Sequence, residues 1–363
     1  MDSCVTMTNL IIDTDIFSDV DDAAALLLAA TLPDANLLAV NVNHSSSYSA
    51  LAVSAILGHY GKGHVPIGIR RPLTDDTYFD ARHFTTGEFT SKVAFRFRDS
   101  GGSLSWGRRA EDAWDPVALY RKTLAEAADG SVTVVSIGFL DNLSALLTSL
   151  PDASSPLPGR ALVSLKVGHL VVMGGAYPAG THRDAGAPRP SWNFSGPNGA
   201  HAPAAAHVVS AWPGPVTFLG REVGASVMVG GPLMDAAQGS GVPRRDPVRM
   251  AYLWYTYGGL LDEDGGDKKR GGPAWDALAV LYAVRGLAGG MLEEVGRQGR
   301  RGRCVVDERV GGNRWVWEDE DRGGGGEDGD HAFLKLRVDP EAAAAVVDEL
   351  LLQGARSVVE RAS

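Results

Sequence analysis

The chain has 363 residues, 44% of them hydrophobic and 21% charged, which is enough for one large α/β domain or two smaller ones. The net charge of −10 argues against a nucleic-acid or anionic-membrane surface. Two cysteines give neither a disulfide framework nor zinc-ligand spacing, and there is no secretory start and no apolar run of about 20 residues. These features predict a soluble, cytoplasmic protein.

The N-terminal part alternates short apolar runs with helical patterns. Leu10–Ile12, Leu37–Val42 and Val65–Ile69 are typical of buried strands. The segments Ala23–Leu28 and Tyr48–Tyr60 have the composition and spacing of helices. Strands that alternate with helices predict βαβ units and a largely parallel sheet with helices on both faces.

A long irregular stretch interrupts this alternation at residues 70–115, which we interpret as an insertion that lies over the site. The alternation then resumes, with a Gly-rich segment at residues 321–330 that predicts a flexible loop between two edge strands, Cys304–Val316 and Ala332–Val338. A last helix is expected to open at Pro340. No clear linker divides the chain, so residues 1–363 are predicted to form a single domain.

The remaining elements are also predicted from apolar runs and helical spacing. The other strands are expected at Val132–Ser136, Val167–Met173 and Val216–Leu219. The other helices are expected at Pro116–Ala128, from Asn142, and at Ala202–Ala211, Val248–Leu261 and Trp275–Arg285.

Five aspartates follow the first strand within ten residues: Asp13, Asp15, Asp19, Asp21 and Asp22. Like charges this close repel one another unless something positive lies among them. A helix N-terminus carries only about half a positive charge, so a bound cation is the simpler explanation. Ligands that are all oxygen favour Ca²⁺ or Mg²⁺ over zinc. Helix capping by one or two of these aspartates is the alternative.

Four segments resemble the inosine–uridine-preferring nucleoside hydrolases, in the order of that family and over residues 9 to about 286. The first is the N-terminal signature, Asp13-Thr14-Asp15 followed by Asp21-Asp22-Ala23. The others are Val134–Asn142, Val171–Ala176 with its Met-Gly-Gly sequence, and Ala274–Val280. The resemblance implies the family's fold, with one α/β domain, a Rossmann-like, mostly parallel central sheet and a site at the strands' C-terminal ends.

The resemblance also implies a ligand set. Ca²⁺ would be held by Asp15, Asp22, Asp276 and the main-chain carbonyl of Ile137, completed by water and the ribose 2′- and 3′-hydroxyls. Asp15 would act as general base on a water, and carboxylates around the metal would favour the positive charge that grows on the sugar.

Further residues are assigned to the substrate by the same resemblance. Asp21 would hold one ribose hydroxyl and Asn193 another, with Met173 beside them, while Asp13 would order the loop. The loop between Asp15 and the Asp21–Asp22 pair has two more residues than the family's shortest form. Which of Asp19 and Asp21 meets the sugar therefore stays open.

The chain departs from the family at the positions nearest the sugar and the base. Ser191 stands where many members have an acidic residue and could contact a 5′-hydroxyl. Asn43 or Ser46 is expected near the ribose. Trp275 stands where purine-active members often carry a histidine, and an indole can stack on a base but cannot donate an acidic proton. The nearest candidate acid by sequence is His44, and His182 could belong to a lid.

The expected function is Ca²⁺-dependent hydrolysis of ribonucleosides to free base and ribose, with a nucleoside as the small-molecule partner and a homodimer or homotetramer as the assembly. One alternative is a protein that binds ribose or nucleosides without turnover. Another is a Mg²⁺-dependent phosphatase whose nucleophile lies in an Asp-x-Asp motif. The second is disfavoured, because Phe17 occupies the position where that class has Thr or Val.

Overall fold

The computed structural model describes residues 7–78, 87–104, 106, 110–177, 190–236, 240–257, 271–320 and 330–362. Twelve strands lie within these ranges: β1 (Thr8–Thr14), β2 (Ala35–Val42), β3 (Ile67–Ile69), β4 (Val132–Ser136), β5 (Val167–Met173), β6 (Val216–Leu219), β7 (Met228–Val229), β8 (Gly272–Pro273), β9 (Leu292–Val295), β10 (Gly302–Val306), β11 (Asn313–Trp317) and β12 (His331–Leu336).

The helices of the described residues connect these strands. They are α1 (Asp21–Thr31), α2 (Ser47–His59), α3 (Thr90–Arg96), α4 (Pro116–Glu126), α5 (Asp141–Thr148), α6 (Gly159–Lys166), α7 (Trp192–Ser195), α8 (Ala202–Ala211), α9 (Arg221–Ala225), α10 (Gly231–Asp235), α11 (Pro247–Tyr257), α12 (Trp275–Arg285) and α13 (Pro340–Ala362). None of the helices in the described ranges is long and apolar enough to cross a membrane.

An eight-stranded sheet organises the molecule, in the order β3-β2-β1-β4-β5-β6-β12-β9. Neighbouring strands pair in parallel from β3 to β12, and only β9 runs antiparallel to its neighbour. The predicted mostly parallel sheet is therefore confirmed. The strand order reverses between β1 and β4, and this is the point where open α/β sheets bind ligands.

Hydrophobic cores cover both faces of the sheet. Within β1, Leu10 and Ile12 belong to one core and Ile11 to the other, because successive side chains of a strand point to opposite faces. The first core is built with α1, α2, α12 and α13, and the second with α4, α5, α6 and α8. Helix α1 is buried from Asp21 to Ala30, which explains why its Ala–Leu run has no polar face.

The prediction of two edge strands near the C-terminus is wrong. Cys304–Val316 is a hairpin of β10 and β11 that forms a separate two-stranded sheet. Its turn contains Gly311, whose φ of 71° favours glycine and whose Cβ would meet the Phe194 carbonyl oxygen at 2.6 Å. The second predicted strand is β12, which lies inside the main sheet between β6 and β9. Parallel pairing between distant segments leaves no local pattern, so the sequence could not indicate it.

The two segments predicted as elaborations are described only in part. The stretch 70–115 contains α3, where Thr90 donates a hydrogen bond to the carbonyl of Phe17 at 2.8 Å. This contact brings the stretch against the loop that follows β1. Most of the Gly-rich segment, residues 321–329, lies outside the described residues, as does His182.

Candidate metal and substrate site

The predicted site residues follow the C-terminal ends of adjacent parallel strands. Asp15 comes directly after β1 and Ile137 directly after β4, on either side of the point where the strand order reverses. The Ile137 amide donates to the Asp13 carbonyl at 2.8 Å, which continues the pairing of β1 and β4 up to the site. Gly138 is required here because a Cβ on it would lie 2.5 Å from the Asp15 nitrogen.

A cavity of roughly 270 Å³ opens at this edge of the sheet. Its walls combine carboxylates with indole rings and one guanidinium. The residues that line it are Asp15, Ser18, Asp19, Asp21, Asp22, Ile137, Met173, Pro190, Ser191, Trp192, Asn193, Arg221, Trp275 and Asp276. Nine of the predicted site residues are therefore brought to one cavity: Asp15, Asp21, Asp22, Ile137, Met173, Ser191, Asn193, Trp275 and Asp276.

Three buried carboxylates form the centre of the site. One oxygen each from Asp21, Asp22 and Asp276 lies within 4.8 Å of the others. The main-chain amide of Asp276 donates to Asp21 Oδ2 at 3.4 Å, and the Thr14 hydroxyl donates to Asp22. Asp21, which the resemblance assigns to the ribose, thus adjoins the two predicted metal ligands.

Burial makes the charged forms of these carboxylates costly. Burial, followed by repulsion from neighbouring aspartates, raises the pKa of Asp21, Asp22 and Asp276 well above the ordinary carboxyl value. A divalent cation among them would reverse this, because it stabilises the ionised forms. The donors are all oxygen, so the set fits a hard cation such as Ca²⁺.

Asp15 is half-buried on the wall of the same cavity. Burial and then the charge of Asp19 raise the pKa of Asp15 to about 7, while a hydrogen bond from the Trp192 side chain acts in the opposite direction. A carboxyl group with a pKa near neutrality, in contact with solvent, is suited to proton transfer.

Asp13 lies behind the cavity and is fully buried. It accepts hydrogen bonds from the Tyr120 hydroxyl at 2.7 Å and from the side-chain amides of Asn43 and Asn142 at 2.5 Å and 3.3 Å. Burial raises the pKa of Asp13 to about 7 despite these donors. Its contacts connect β1 with the segments after β2 and β4, which supports the predicted role in ordering the loop.

Asn43, predicted near the ribose, is placed elsewhere by the structure. Its amide nitrogen donates to Asp13 and to the Phe139 carbonyl, and its amide oxygen accepts from the Phe139 amide at 3.2 Å. Both polar atoms are therefore taken by protein groups, and the side chain is only 1% exposed. We assign Asn43 to joining the ends of β1 and β4 instead of to a ribose contact.

Ser46 and His44 are also outside the set that lines the cavity. The fully buried Ser46 hydroxyl donates to the Asp76 carbonyl at 2.6 Å, which ties it to the segment after β3. The His44 ring stacks on Phe17 with centroids 3.9 Å apart. Burial lowers the pKa of His44 to about 4, so the ring is neutral at pH 7 and poorly suited to donate a proton to a leaving base.

Asn193 joins two strand ends at the wall of the cavity. Its side-chain amide donates to the carbonyl oxygens of Ile137 at 3.1 Å and Met173 at 3.0 Å. The carbonyl predicted to bind the cation is therefore held by the residue predicted to bind the sugar. Ser191 begins the same short segment, and its carbonyl accepts the amides of Phe194 and Ser195.

Trp275 is the first residue of α12, immediately before Asp276. Its indole donates to the main-chain carbonyl of Arg221 at 2.7 Å, so the ring is fixed against the start of α9. A Cβ on Gly224 would meet this ring at 2.3 Å, which shows how closely α9 and α12 approach.

Five residues of the cavity wall were not predicted as site residues: Ser18, Asp19, Pro190, Trp192 and Arg221. The sequence leaves open whether Asp19 meets the sugar, and the structure places it exposed on the cavity wall. Arg221 follows the end of β6 and could have been found by its position after a strand. Trp192 lies between Ser191 and Asn193. Nothing in the sequence there distinguishes a residue that lines a cavity from one that packs in a core.

The fold and the site define a class: an α/β protein whose clustered carboxylates lie at the switch point of a parallel sheet. The profile of the family described as inosine-uridine preferring nucleoside hydrolase matches residues 10–323. The chain belongs to this family, which places it among hydrolases that act on N-glycosyl compounds.

Solved structures share the fold over almost their whole length. A plant nucleoside hydrolase is 18% identical with a TM-score of 0.65, covering 95% of this chain and 99% of its own. A purine-preferring ribonucleoside hydrolase from Gardnerella vaginalis is 18% identical with a TM-score of 0.62, at 97% and 99% coverage. An inosine-uridine preferring nucleoside hydrolase from Bacillus anthracis is 16% identical with a TM-score of 0.63, at 96% and 99% coverage. No curated protein matches the sequence.

Proposed function

We propose that the protein hydrolyses the N-glycosidic bond of ribonucleosides, releasing free base and ribose, with the help of a bound Ca²⁺. The observation that carries this proposal is the juxtaposition of Asp21, Asp22 and Asp276, whose oxygens lie within 4.8 Å of one another. Asp15 and Ile137 line the same cavity. A sugar binder without turnover has little use for a separate carboxylate beside such a cluster.

The oxygen atoms available to a cation come from both ends of the chain. Asp22, Asp276, Asp15 and the carbonyl of Ile137 would hold it, and Asp21 adjoins them. When bound, Ca²⁺ would supply a positive charge that lowers the pKa of a water and binds the ribose diol.

Asp15 accepts the proton of the attacking water. Its half-buried carboxylate lines the same cavity as the groups that would hold the cation, so it lies within reach of a water bound there. The surrounding carboxylates stabilise the positive charge that the ribose ring develops as the glycosidic bond breaks.

The sugar is held by groups that line the same cavity. Asp21 lies beside the carboxylate cluster and accepts hydrogen bonds from a ribose hydroxyl. Asn193, whose amide nitrogen is bound to Ile137 and Met173, presents its oxygen to a second hydroxyl. Ser191 offers a neutral hydroxyl to the 5′ end of the sugar.

The leaving base meets aromatic faces. Among the described residues that line the cavity, Trp192 and Trp275 are the aromatic ones, and indole rings bind bases by stacking. His44 is neutral and stacks on Phe17. These two features do not support the prediction that His44 protonates the leaving base. His182 lies outside the described residues.

The alternative is a protein that binds nucleosides without turnover, and it is motivated by Ser191 and Trp275. Family membership leaves the phosphatase alternative without support. A homodimer or homotetramer and a cytoplasmic location stay predictions from the sequence.

A ribose-release assay separates hydrolysis from binding. Purified protein is incubated with a panel of purine, pyrimidine and modified ribonucleosides, and reducing sugar is measured. We expect release from at least one nucleoside, its loss with EDTA and its recovery with added Ca²⁺. Calorimetric Ca²⁺ binding without ribose release from any nucleoside would favour the binding protein.

A further inference from the structure

Arg221 brings a cationic side chain to a cavity whose other charged groups are carboxylates. It follows the end of β6 and lines the cavity together with five aspartates: Asp15, Asp19, Asp21, Asp22 and Asp276. Within the described residues, no ion pair and no side-chain hydrogen bond involves Arg221. The guanidinium therefore does not serve to neutralise a particular acid of the wall, and its presence there needs another explanation.

The position of Arg221 is fixed through its main chain. Its amide donates to the Gly175 carbonyl at 2.9 Å, and its carbonyl accepts the indole N–H of Trp275 at 2.7 Å. These contacts hold the start of α9 between the segment after β5 and the start of α12. The exposed side chain thus extends from a fixed main chain and is available to a ligand in the cavity.

The acid next to Arg221 in the sequence is engaged elsewhere. The Glu222 carboxylate accepts the main-chain amide of Tyr177 at 3.1 Å and does not belong to the cavity wall. It packs over Gly220, where an added Cβ would collide with its oxygens. Glu222 therefore leaves the charge of Arg221 to the cavity.

The contact with Trp275 relates Arg221 to the leaving base. Trp192 and Trp275 are the rings on which the base is proposed to stack, and the indole of Trp275 is bonded to the main chain of Arg221. Ser191, which is proposed to meet the 5′ end of the sugar, belongs to the separate segment before α7. The bonding therefore favours the base over the 5′ end of the sugar as the ligand of Arg221.

The reaction creates a need for a positive charge at the base. When the glycosidic bond breaks, its electron pair goes to the base nitrogen and spreads over the other nitrogens and the exocyclic oxygens. The oxygen of water bonds to C1′, Asp15 takes its proton, and the released base takes a proton from solvent. Carboxylates favour the cationic sugar but repel an anionic base, so a cation beside the base stabilises the other half of the separating charge.

We propose that Arg221 is a catalytic residue that donates hydrogen bonds from its guanidinium to the leaving base and stabilises the negative charge that develops there. A guanidinium is suited to this role, because it has five N–H donors and stays charged at every working pH. It replaces proton donation by a histidine with stabilisation by charge. This inference rests on the proposed function and requires a base with an acceptor nitrogen or oxygen.

The first test compares Arg221→Gln with Arg245→Gln, a control at an exposed arginine outside the cavity. We expect kcat for a nucleoside substrate to fall by roughly 100-fold in Arg221→Gln, as when one donor to a developing anion is removed. KM should change by less than about threefold. Circular dichroism checks the fold, which should persist because the contacts of Arg221 are made by its main chain. Arg245→Gln should behave as the wild type, and an unchanged kcat in Arg221→Gln would overturn the inference.

A substrate with a better leaving group provides the second test. The leaving group of 4-nitrophenyl β-D-ribofuranoside, nitrophenolate, is stable as an anion without help from the protein. Arg221→Gln should therefore lose less than about threefold in kcat with this substrate. An equal loss with the nucleoside and the nitrophenyl riboside would show that Arg221 acts on the sugar or on the site, and would overturn the inference.

A nucleoside 5′-monophosphate tests the other anion that Arg221 could meet. We expect Arg221→Gln to change the KM of the nucleoside and of its 5′-monophosphate to the same small extent. A rise in KM confined to the 5′-monophosphate would assign Arg221 to the 5′ end and overturn the inference. Absence of ribose release from every substrate by the wild type would instead overturn the proposed function, so the two failures are distinguishable.

Discussion

The side-chain amide of Asn193 lies 3.1 Å from the carbonyl oxygen of Ile137, a residue 56 positions earlier in the chain. The same nitrogen is 3.0 Å from the carbonyl of Met173. One side chain thereby fixes the ends of two adjacent strands, β4 and β5, at the place where a cation and a sugar are proposed to bind.

Removal of this amide should loosen the proposed metal site. We expect Asn193→Ala to weaken Ca²⁺ binding or turnover by roughly 10- to 100-fold, because groups that orient metal ligands have effects of this size. Calorimetric Ca²⁺ titration and ribose release measure the two effects. Asn36→Ala removes a comparable amide contact, to Asn9 at 2.7 Å away from the cavity, and should change neither. Normal values for Asn193→Ala would contradict the assignment.

Replacement of Asp15 should abolish most of the activity while the protein stays folded. Asp15→Ala removes the proposed general base and a metal ligand, so turnover should fall by at least about 100- to 10,000-fold. Ribose release measures the loss, and circular dichroism checks the fold. Asp34→Asn, at an ion pair with Arg285, serves as the control. Near-normal turnover in Asp15→Ala would refute the role of this residue.

The close approach at Gly138 predicts an effect on both stability and activity. A Cβ at this position would lie 2.5 Å from the Asp15 nitrogen and 2.8 Å from the Asn43 amide. Overpacking of this kind typically costs about 1–3 kcal/mol, and the shifted main chain should also lower turnover. Urea unfolding measures the stability. Gly231→Ala is the matched control because no atom lies within 4 Å of its added Cβ, and equal stability of the two variants would contradict the prediction.

The raised pKa of Asp15 predicts a pH dependence of stability when the cation is removed. Because this pKa is about 7 in the folded protein and near 4 in the unfolded chain, the folded state binds more protons between these values. The free energy of unfolding contributed by Asp15 should therefore fall as the pH rises from about 4 to about 7.

Urea unfolding in EDTA measures this contribution as the difference between the wild type and Asp15→Asn, which cannot ionise. The wild type should lose stability relative to the variant across the window, and added Ca²⁺ should remove the trend. A difference that does not vary with pH would show that Asp15 titrates normally in the folded protein.

Local patterns were sufficient for the elements that build the sheet. The strands that become β1, β2, β4, β5 and β6 are apolar runs bounded by turns, and helices α1 and α12 are continuous Ala–Leu–Val segments. The position of β12 between β6 and β9 was missed because it depends on which distant segments pair. Helices α3 and α6 were missed because they are only seven and eight residues long.

The acidic residues of the site could be predicted from the sequence, whereas the roles of the residues around them were harder to predict. Five aspartates in one loop are an unusual pattern, and their repulsion pointed to a cation. Asp276 could be connected to them only by resemblance, since no local rule joins residues 255 positions apart. The sequence could not show which way the Asn43 side chain points, because a residue after a strand can face either the ligand or a neighbouring strand. In the structure Asn43 faces β1, where its side-chain amide donates to the Asp13 carboxylate.

The distance along the chain between Asp21 and Asp276 has a consequence for biosynthesis. A nascent polypeptide that has emerged only as far as α11 has made the loop after β1 but not the carboxylate that completes the cluster. Tight capture of the proposed cation would have to wait until α12 has left the ribosome and docked against α1. Ion binding would then report that α12 has docked against α1, whereas β9 and β12, which complete the sheet, follow α12 in the chain.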